Sequence, residues 1–457
     1  MPAGQWAQNE FGFAELGDCR RNKRLVKIAT NLATCPGGTL PQAFPEWAEL
    51  KAAYRFFGQP GVTFERVLAP HLARTCQQCR HPGEYLVIED TTLLDYSRHR
   101  VTKGLGIIGD GNGRGFELHS ALAVRVESWT LDQRPEGVVL GLFYQQCRGP
   151  QPAPEGETRR ELWSRPRASQ RWGAGIKASG RAPAGCQWIY VADRESDIYE
   201  VMQSCQGHGV DFVIRSCHER CLAHEGKDVA EALASAPMLG QSTVELRARP
   251  GQPARTAIVE LRSIRVDLRG AWRPGKRQSP LQDVTVVEVR EIQAPEGVKQ
   301  PLHWRLLSSL PCMSRAQGQR IVGRYTARWW IEEYHKALKS GAGVEESQLE
   351  KAYRLESLIA VLAVVAVRLL STKLLARSRP EGGEAAASFG PQMLAILESK
   401  LGRPKAGWTN QNVIIATARL GGFLARKNDG MPGWQTIWRG WQKLIWMTEG
   451  AATLNGG

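Results

Sequence analysis

Within "YTARWWIEEYHKALKSGAG", residues 325 to 343, stand a phenol, a guanidinium, a carboxylate and an ammonium: Tyr325, Arg328, Glu332 and Lys339. Wound as one helix at about 100° per residue, they fall at about 0°, 300°, 340° and 320°, a stripe about 60° wide. A carboxylate can ligate a hard cation, and the groups beside it are those that grip phosphate oxygens. The opposite side carries Ala327, Trp330, Ile331, Tyr334, Ala337 and Leu338, an apolar face suited to a core, and Gly341 and Gly343 supply an end. The same pattern describes an exposed helix with ion pairs such as Arg328 to Glu332, so the rest of the chain must decide.

Two further acids follow short apolar runs that read as buried strands: Asp90 closes "EYLVIED" (84–90) and Asp193 closes "QWIYVAD" (187–193). Sheet ends converge, and carboxylate oxygens suit Mg²⁺. With Glu332, the three make a candidate two-metal site for in-line phosphoryl displacement, with Arg328 and Lys339 on neighbouring phosphates.

The chain of 457 residues carries 60 Lys plus Arg against 45 Asp plus Glu, a net +15. That excess favours a polyanion, nucleic acid ahead of an anionic membrane surface. No leader-like apolar segment opens the chain. The longest apolar run, Leu358 to Val367, stops at Arg368 after ten residues, about half of a span, so a buried helix, a cytosolic location and no membrane partner are expected. The ten cysteines are scattered. "CQQCRH" (Cys76, Cys79, His81) and "CHERC" (Cys217, His218, Cys221) lack the paired spacing of a zinc site, and packed thiols are expected. "GLGIIG" (104–109) follows no strand and opens no helix, so it is set aside as a nucleotide loop, and no P-loop occurs.

The elements that must position these groups divide the chain. Residues 1–80 are helical and basic, with "RRNKRLVK" (20–27) offering Arg20 and Arg21 to phosphates. Residues 81–216 form a mixed-sheet core in which a Pro-rich stretch, "GPQPAPEGE", precedes a helix near 157–178. Residues 217–310 alternate as strands of an all-β insertion with a basic loop, "RGAWRPGKR". The core resumes over 311–375, and 376–457 is helical, ending in Trp434, Ile437, Trp438, Trp441, Leu444 and Ile445 at helical spacing, fit for a core or a partner.

"IEDTT", "ADRESDIY" and above all Y-x2-R-x3-E-x6-K (Tyr325, Arg328, Glu332, Lys339) resemble the bacterial DDE transposases of the insertion-sequence-four type. The likeness runs from "LGDCRRNKRL" through "AYRFF" and "GRGFELHS" to "TARLGGF" and "GWQTIWRGW". It implies an α/β protein: a ribonuclease H-like mixed-sheet catalytic core with an all-β insertion, flanked by an N-terminal helical domain that reads terminal inverted repeats and a C-terminal dimerisation region. This chain stops sooner after its Trp-rich helix than such proteins usually do. The resemblance implies Asp90, Asp193 and Glu332 as ligands of two Mg²⁺ ions, with Mn²⁺ as a substitute, and Tyr325, Arg328 and Lys339 as contacts to phosphates of the cleaved end. It implies that Trp304, in "PLHWRLL", holds a flipped base during hairpin formation, against its plainer reading as a core aromatic. Activity would be cut-and-paste transposition by a homodimer on transposon-end and target DNA in the bacterial cytoplasm. The alternatives are a catalytically silent DNA-binding regulator, against which all three acids argue, and a ribonuclease H-like nuclease, which would not need the four-residue stripe.

Overall fold

The computed structural model describes residues 1–149, 168–224, 226–247, 253–273, 275–427 and 429–455. The Pro-rich stretch beyond Gly149 and the first part of the helix expected near 157–178 lie outside them. Within the described part of that segment stand a turn, Ala168–Arg171, and a short helix, α6 (Ala174–Ser179).

Five helices open the chain: α1 (Ala3–Phe11), α2 (Cys19–Thr34), α3 (Leu40–Ala43), α4 (Trp47–Phe57) and α5 (Phe64–Gln78). Side-chain caps start two of them, Asp18 accepting from Arg20 N at 2.8 Å and Thr63 from Arg66 N at 3.3 Å. Leu25, Ile28, Ala29 and Leu32 recur at helical spacing and are buried. The cations between them therefore face out, Arg24 and Lys27 meeting Glu49.

Among the described residues the core sheet has ten strands. β1 (Gly83–Asp95) pairs antiparallel with β3 (Gly113–Trp129), which also holds β2 (Gly106–Ile108) and β4 (Pro135–Arg148). On its other side β1 runs parallel to β5 (Cys186–Ala192), and β5 parallel to β6 (Asp211–Arg215). Helix α7 (Tyr199–His208) joins those two. Both faces of the sheet are covered, which is why these strands read as unbroken apolar runs. Leu86, Ile88, Ile189 and Val191 belong to one core, whereas Tyr85, Val87, Trp188 and Tyr190 belong to the other.

The strands expected as an insertion extend this same sheet. After α8 (Val229–Ala234) come β7 (Met238–Leu246), β8 (Arg255–Leu268), the small hairpin β9 (Trp272–Arg273) and β10 (Lys276–Arg277), β11 (Leu281–Glu291) and β12 (His303–Ser308). Pairing of Leu306 with Arg215 and Leu307 with Ile214 joins β12 to β6. The whole is mixed α/β with helices at both ends.

The chain returns through α9 (Arg315–Thr326) and α10 (Trp329–Lys336) to α11 (Ala352–Ser378), then α12 (Pro391–Leu401), α13 (Asn410–Leu420) and α14 (Trp434–Asn455). The apolar run ending at Arg368 does not end the helix. α11, 27 residues in all, continues to Ser378 because Arg368 leaves the core sideways, donating to Met1 O at 2.8 Å and lying 5.2 Å from the Trp6 ring. Its length and composition would suffice for a membrane span, but 89% of its apolar window is buried inside the protein. α13 and α14 cross closely at two glycines. A Cβ on Gly440 would come within 1.7 Å of Thr417 O, and one on Gly421 within 1.9 Å of Thr436 O, which accounts for glycine in "RLGG" and "WRGW". Trp434, Ile437, Trp441, Leu444 and Ile445 pack inward, Trp441 stacking on Phe389 at 4.7 Å, while Trp446 is exposed.

Candidate metal and nucleic-acid site

Side chains alternate along a strand, so Asp90 shares a face with Leu86 and Ile88, and Asp193, just beyond β5, continues the face of Ile189 and Val191. The inward residues of α10, Ile331 and Tyr334, pack in the core on that face. Parity thus brings two acids to the side of the sheet where the helix with Glu332 lies. Asp90 does not end its strand, as "EYLVIED" suggests. β1 continues to Asp95 because β3 pairs with it throughout, and only the parallel pairing to β5 stops, at Ile88 and Val191.

The helix carrying the stripe is not one straight helix. α9 stops at Thr326, and Trp330 N and Ile331 N bond three residues back, to Ala327 O and Arg328 O, at 3.0 and 3.1 Å. Beyond α10 the turns widen over Ala337–Gly341, where Ala342 N reaches Ala337 O at 2.7 Å, and Gly343 ends the segment in the left-handed region. A tightened turn before α10 and a widened one after it shift the angular positions, so the four side chains do not lie on a uniform stripe.

Arg328 is the centre of what forms instead. Its Nη1 donates to Asp90 Oδ2 at 3.0 Å and its Nη2 to Glu332 Oε1 at 2.5 Å. Asp90 also accepts from Thr91 N at 2.8 Å. Burial pushes the Asp90 carboxyl up to about 6; Arg328 and the Thr91 amide oppose that rise, while the nearby charges of Asp193 and Glu332 add to it. Burial also works against the charge of Arg328, but Glu332 and Asp90 outweigh it and raise the guanidinium's pKa. Asp193 accepts from Glu195 N at 2.9 Å, capping the turn that follows β5. Asp90, Asp193 and Glu332 thus share one electrostatic neighbourhood without closing on one point. Among the described residues, the three ligand atoms that lie within 4.8 Å of one another belong to Asp197, Cys217 and His218. There the Asp197 oxygens are already occupied by the amides of Cys217 and His218 at 2.8 and 3.1 Å and by Arg220.

The other expected contacts are placed as follows. Tyr325 is buried and meets the Trp304 ring edge-on at 5.0 Å, and burial raises its phenol pKa. Trp304 stands on β12, half-buried. Lys339 reaches back to the end of β1, donating to Leu93 O at 2.5 Å and pairing with Glu345 at 3.2 Å. Arg20 is exposed and pairs with Asp18 at 3.2 Å, whereas Arg21 spends one nitrogen on Leu16 O at 2.9 Å. Cys79 is buried and Cys76 half-buried, and burial raises both thiols, as expected for packed cysteines, whereas Cys217 and Cys221 are exposed, against that expectation. "GLGIIG" contributes the edge strand β2.

Three residues escaped the sequence. Glu89 points to the opposite core, where its Oε2 accepts from Gly173 N at 2.9 Å and Tyr190 OH at 2.8 Å and meets His119 Nε2 at 3.3 Å. His335 is buried, and burial, helped by Lys339, His119 and Arg328, holds it neutral with a pKa of about 3. Glu333 is buried beside half-buried Glu332. The signal available was two adjacent acids in "IED" and "IEE", which tells that one of each pair must face inward but not which.

Residues 3–62 match the family described as transposase DNA-binding, and residues 364–455 match the transposase Tn5 dimerisation domain. The first match spans α1 to α4 and the second runs from within α11 to the end of α14, so the two flank the segment that carries Asp90, Asp193 and Glu332. Together they support a Tn5-like DNA transposase, with DNA as a partner and a homodimer as the assembly.

Proposed function

We propose that this chain is a cut-and-paste transposase of the insertion-sequence-four type, acting in the bacterial cytoplasm through a ribonuclease H-like core that cleaves transposon ends and joins them to target DNA. The observation that carries the proposal is the bridging of Asp90 and Glu332 by Arg328, with the charge of Asp193 felt at Asp90. Hard carboxylate oxygens gathered in one neighbourhood suit divalent cations, so Asp90, Asp193 and Glu332 would hold two Mg²⁺. The chemistry such ions supply when bound is activation of the attacking oxygen and stabilisation of the leaving one.

The chain's own part is positioning. Water attacks the phosphorus at the transposon end, the bond to the 3′ oxygen breaks, and that oxygen leaves as a 3′-hydroxyl. The same hydroxyl then attacks the opposite strand, closing a hairpin and releasing flanking DNA. Water reopens the hairpin, and the 3′-hydroxyl finally attacks target DNA. Arg328 and Lys339 carry the charge that would hold non-bridging oxygens through these transfers, and Tyr325 orients beside them. Arg20 and Arg21 lie in the segment that would follow the phosphates of the terminal repeat. Trp304 would stack on a base extruded at the hairpin step. Incubating the protein with its own flanking ends and Mg²⁺, then sequencing the products, tests this. Nicked and hairpinned ends are expected, and bound but intact DNA would favour a silent regulator.

A further inference from the structure

Glu332 and Glu333 are adjacent, yet only the second is locked in place. Its Oε2 accepts from Lys373 Nζ at 2.6 Å and from the indole nitrogen of Trp434 at 2.8 Å. Its Oε1 faces Lys336 Nζ at 3.2 Å and Arg247 Nη1 at 3.5 Å. The shell is itself cross-braced: the Lys373 ammonium lies 4.3 Å from the Trp434 ring, and the Arg247 guanidinium 4.3 Å from the Trp329 ring. One carboxylate therefore ties α10 to the segment after β7, to α11 and to the first residue of α14.

α10 needs such a tie. It has eight residues, entered through a tightened turn and left through a widened one, so neither neighbouring helix fixes its rotation. Rotation must be set by side chains. Tyr334, accepting from Gln145 Nε2 at 2.8 Å, holds one side, and Glu333 holds another. A small roll of α10 would carry the Glu332 carboxylate away from Arg328 and Asp90. Two of the groups that hold Glu333, Lys373 and Trp434, lie in the segment that matches the dimerisation domain.

We infer that Glu333 is a positioning residue through which the docked C-terminal segment, by Lys373 and Trp434, sets the place of Glu332. This rests on the proposed transposase activity for its consequence but not for its mechanics. The predicted dependence is that loosening the C-terminal contact weakens metal use at a site it never touches.

Two variants separate this from simple destabilisation. Trp434→Phe keeps a ring and removes the indole donor. Glu333→Gln combined with Lys373→Met removes the ion pair without leaving a buried charge alone. In each, hydrogen exchange at the amides of α10 is expected to quicken about tenfold while that of β1 stays unchanged. End-DNA binding should persist, and the Mg²⁺ concentration for half-maximal cleavage should rise about tenfold, with the variants non-additive when combined. Unchanged exchange in α10, or faster exchange across the whole chain with cleavage lowered equally at every Mg²⁺ concentration, overturns the inference. If the parental protein does not cleave at all, the transposase proposal fails, and the exchange result still decides the role of Glu333.

Discussion

On one face of the sheet Glu89 is enclosed among Tyr190, His119 and the Gly173 amide; on the other, one residue along, Asp90 meets one guanidinium, the amide of Thr91 and, through space, two further acids. The two side chains differ by one methylene, and the pleat alone separates their fates. α10 repeats the arrangement, with Glu333 held by three cations and an indole while Glu332 is held by Arg328. Glu333 is engaged through both oxygens, whereas the partners of Glu89 all meet Oε2 and its Oε1 is buried without a hydrogen-bond partner. In each pair the inward acid braces the fold, and its neighbour stands at the candidate site.

The largest expected effect breaks the sealed member. Glu89→Ala leaves a buried phenol, an imidazole and an amide without their acceptor, and should lower stability by about 3 kcal/mol in urea unfolding. Asp90→Asn should do the reverse. The folded-state pKa of Asp90 is raised from 3.8 to about 6, so its favourable contribution is present below the unfolded value and lost as pH rises through about 6. At pH 7.5 the Asn variant should therefore be more stable than the parent by about 2 kcal/mol, shrinking towards nothing at pH 4. A loss of stability at pH 7.5 would mean that the contact with Arg328 outweighs the burial.

Much of this division was legible in the sequence and some of it was not. Apolar runs leading into "IED" and "VAD" announced buried strands that each deliver an acid, while the shared side of Asp90 and Asp193 became visible only with the parallel register of β1 and β5. The Y-x2-R-x3-E-x6-K spacing correctly joined Arg328 to Glu332. The widened turn at Ala337–Gly341 was hidden, because hydrogen-bond spacing within a helix leaves no trace in residue type. Of the four partners of Glu333 only Lys336 is local; the others come from residues 247, 373 and 434, separations that no local pattern spans. The union of β12 with β6 was equally silent, since alternation reveals a strand but not its neighbour.

Trp304 sharpens the comparison at the site's rim. Because it packs on Tyr325, Trp304→Ala should cost about 1 to 2 kcal/mol of stability. If it also holds an extruded base, hairpin formation should slow more than the first nick in a time course. Equal slowing of both steps would leave it a core aromatic.

The smallest effects belong to the N-terminal cations, which differ from each other as the acids do. The Arg20 side chain is exposed and its pairing with Asp18 is a surface one, worth little to stability, so Arg20→Ala should chiefly flatten the dependence of log affinity on log salt, by about one. Arg21, bonded to Leu16 O, should in addition lose about 1 kcal/mol of stability when replaced by Ala. Identical behaviour of the two would erase the distinction drawn from their exposure.

The most direct test of the central claim is Glu332→Gln, assayed for end binding and for cleavage in Mg²⁺ on the same preparation. The side chain is 40% exposed and faces away from the core, so the fold should survive and end DNA should still shift. Bound ends that are neither nicked nor joined are expected. Cleavage at the parental rate would contradict the claim, leaving Glu332 as one half of a surface ion pair with Arg328.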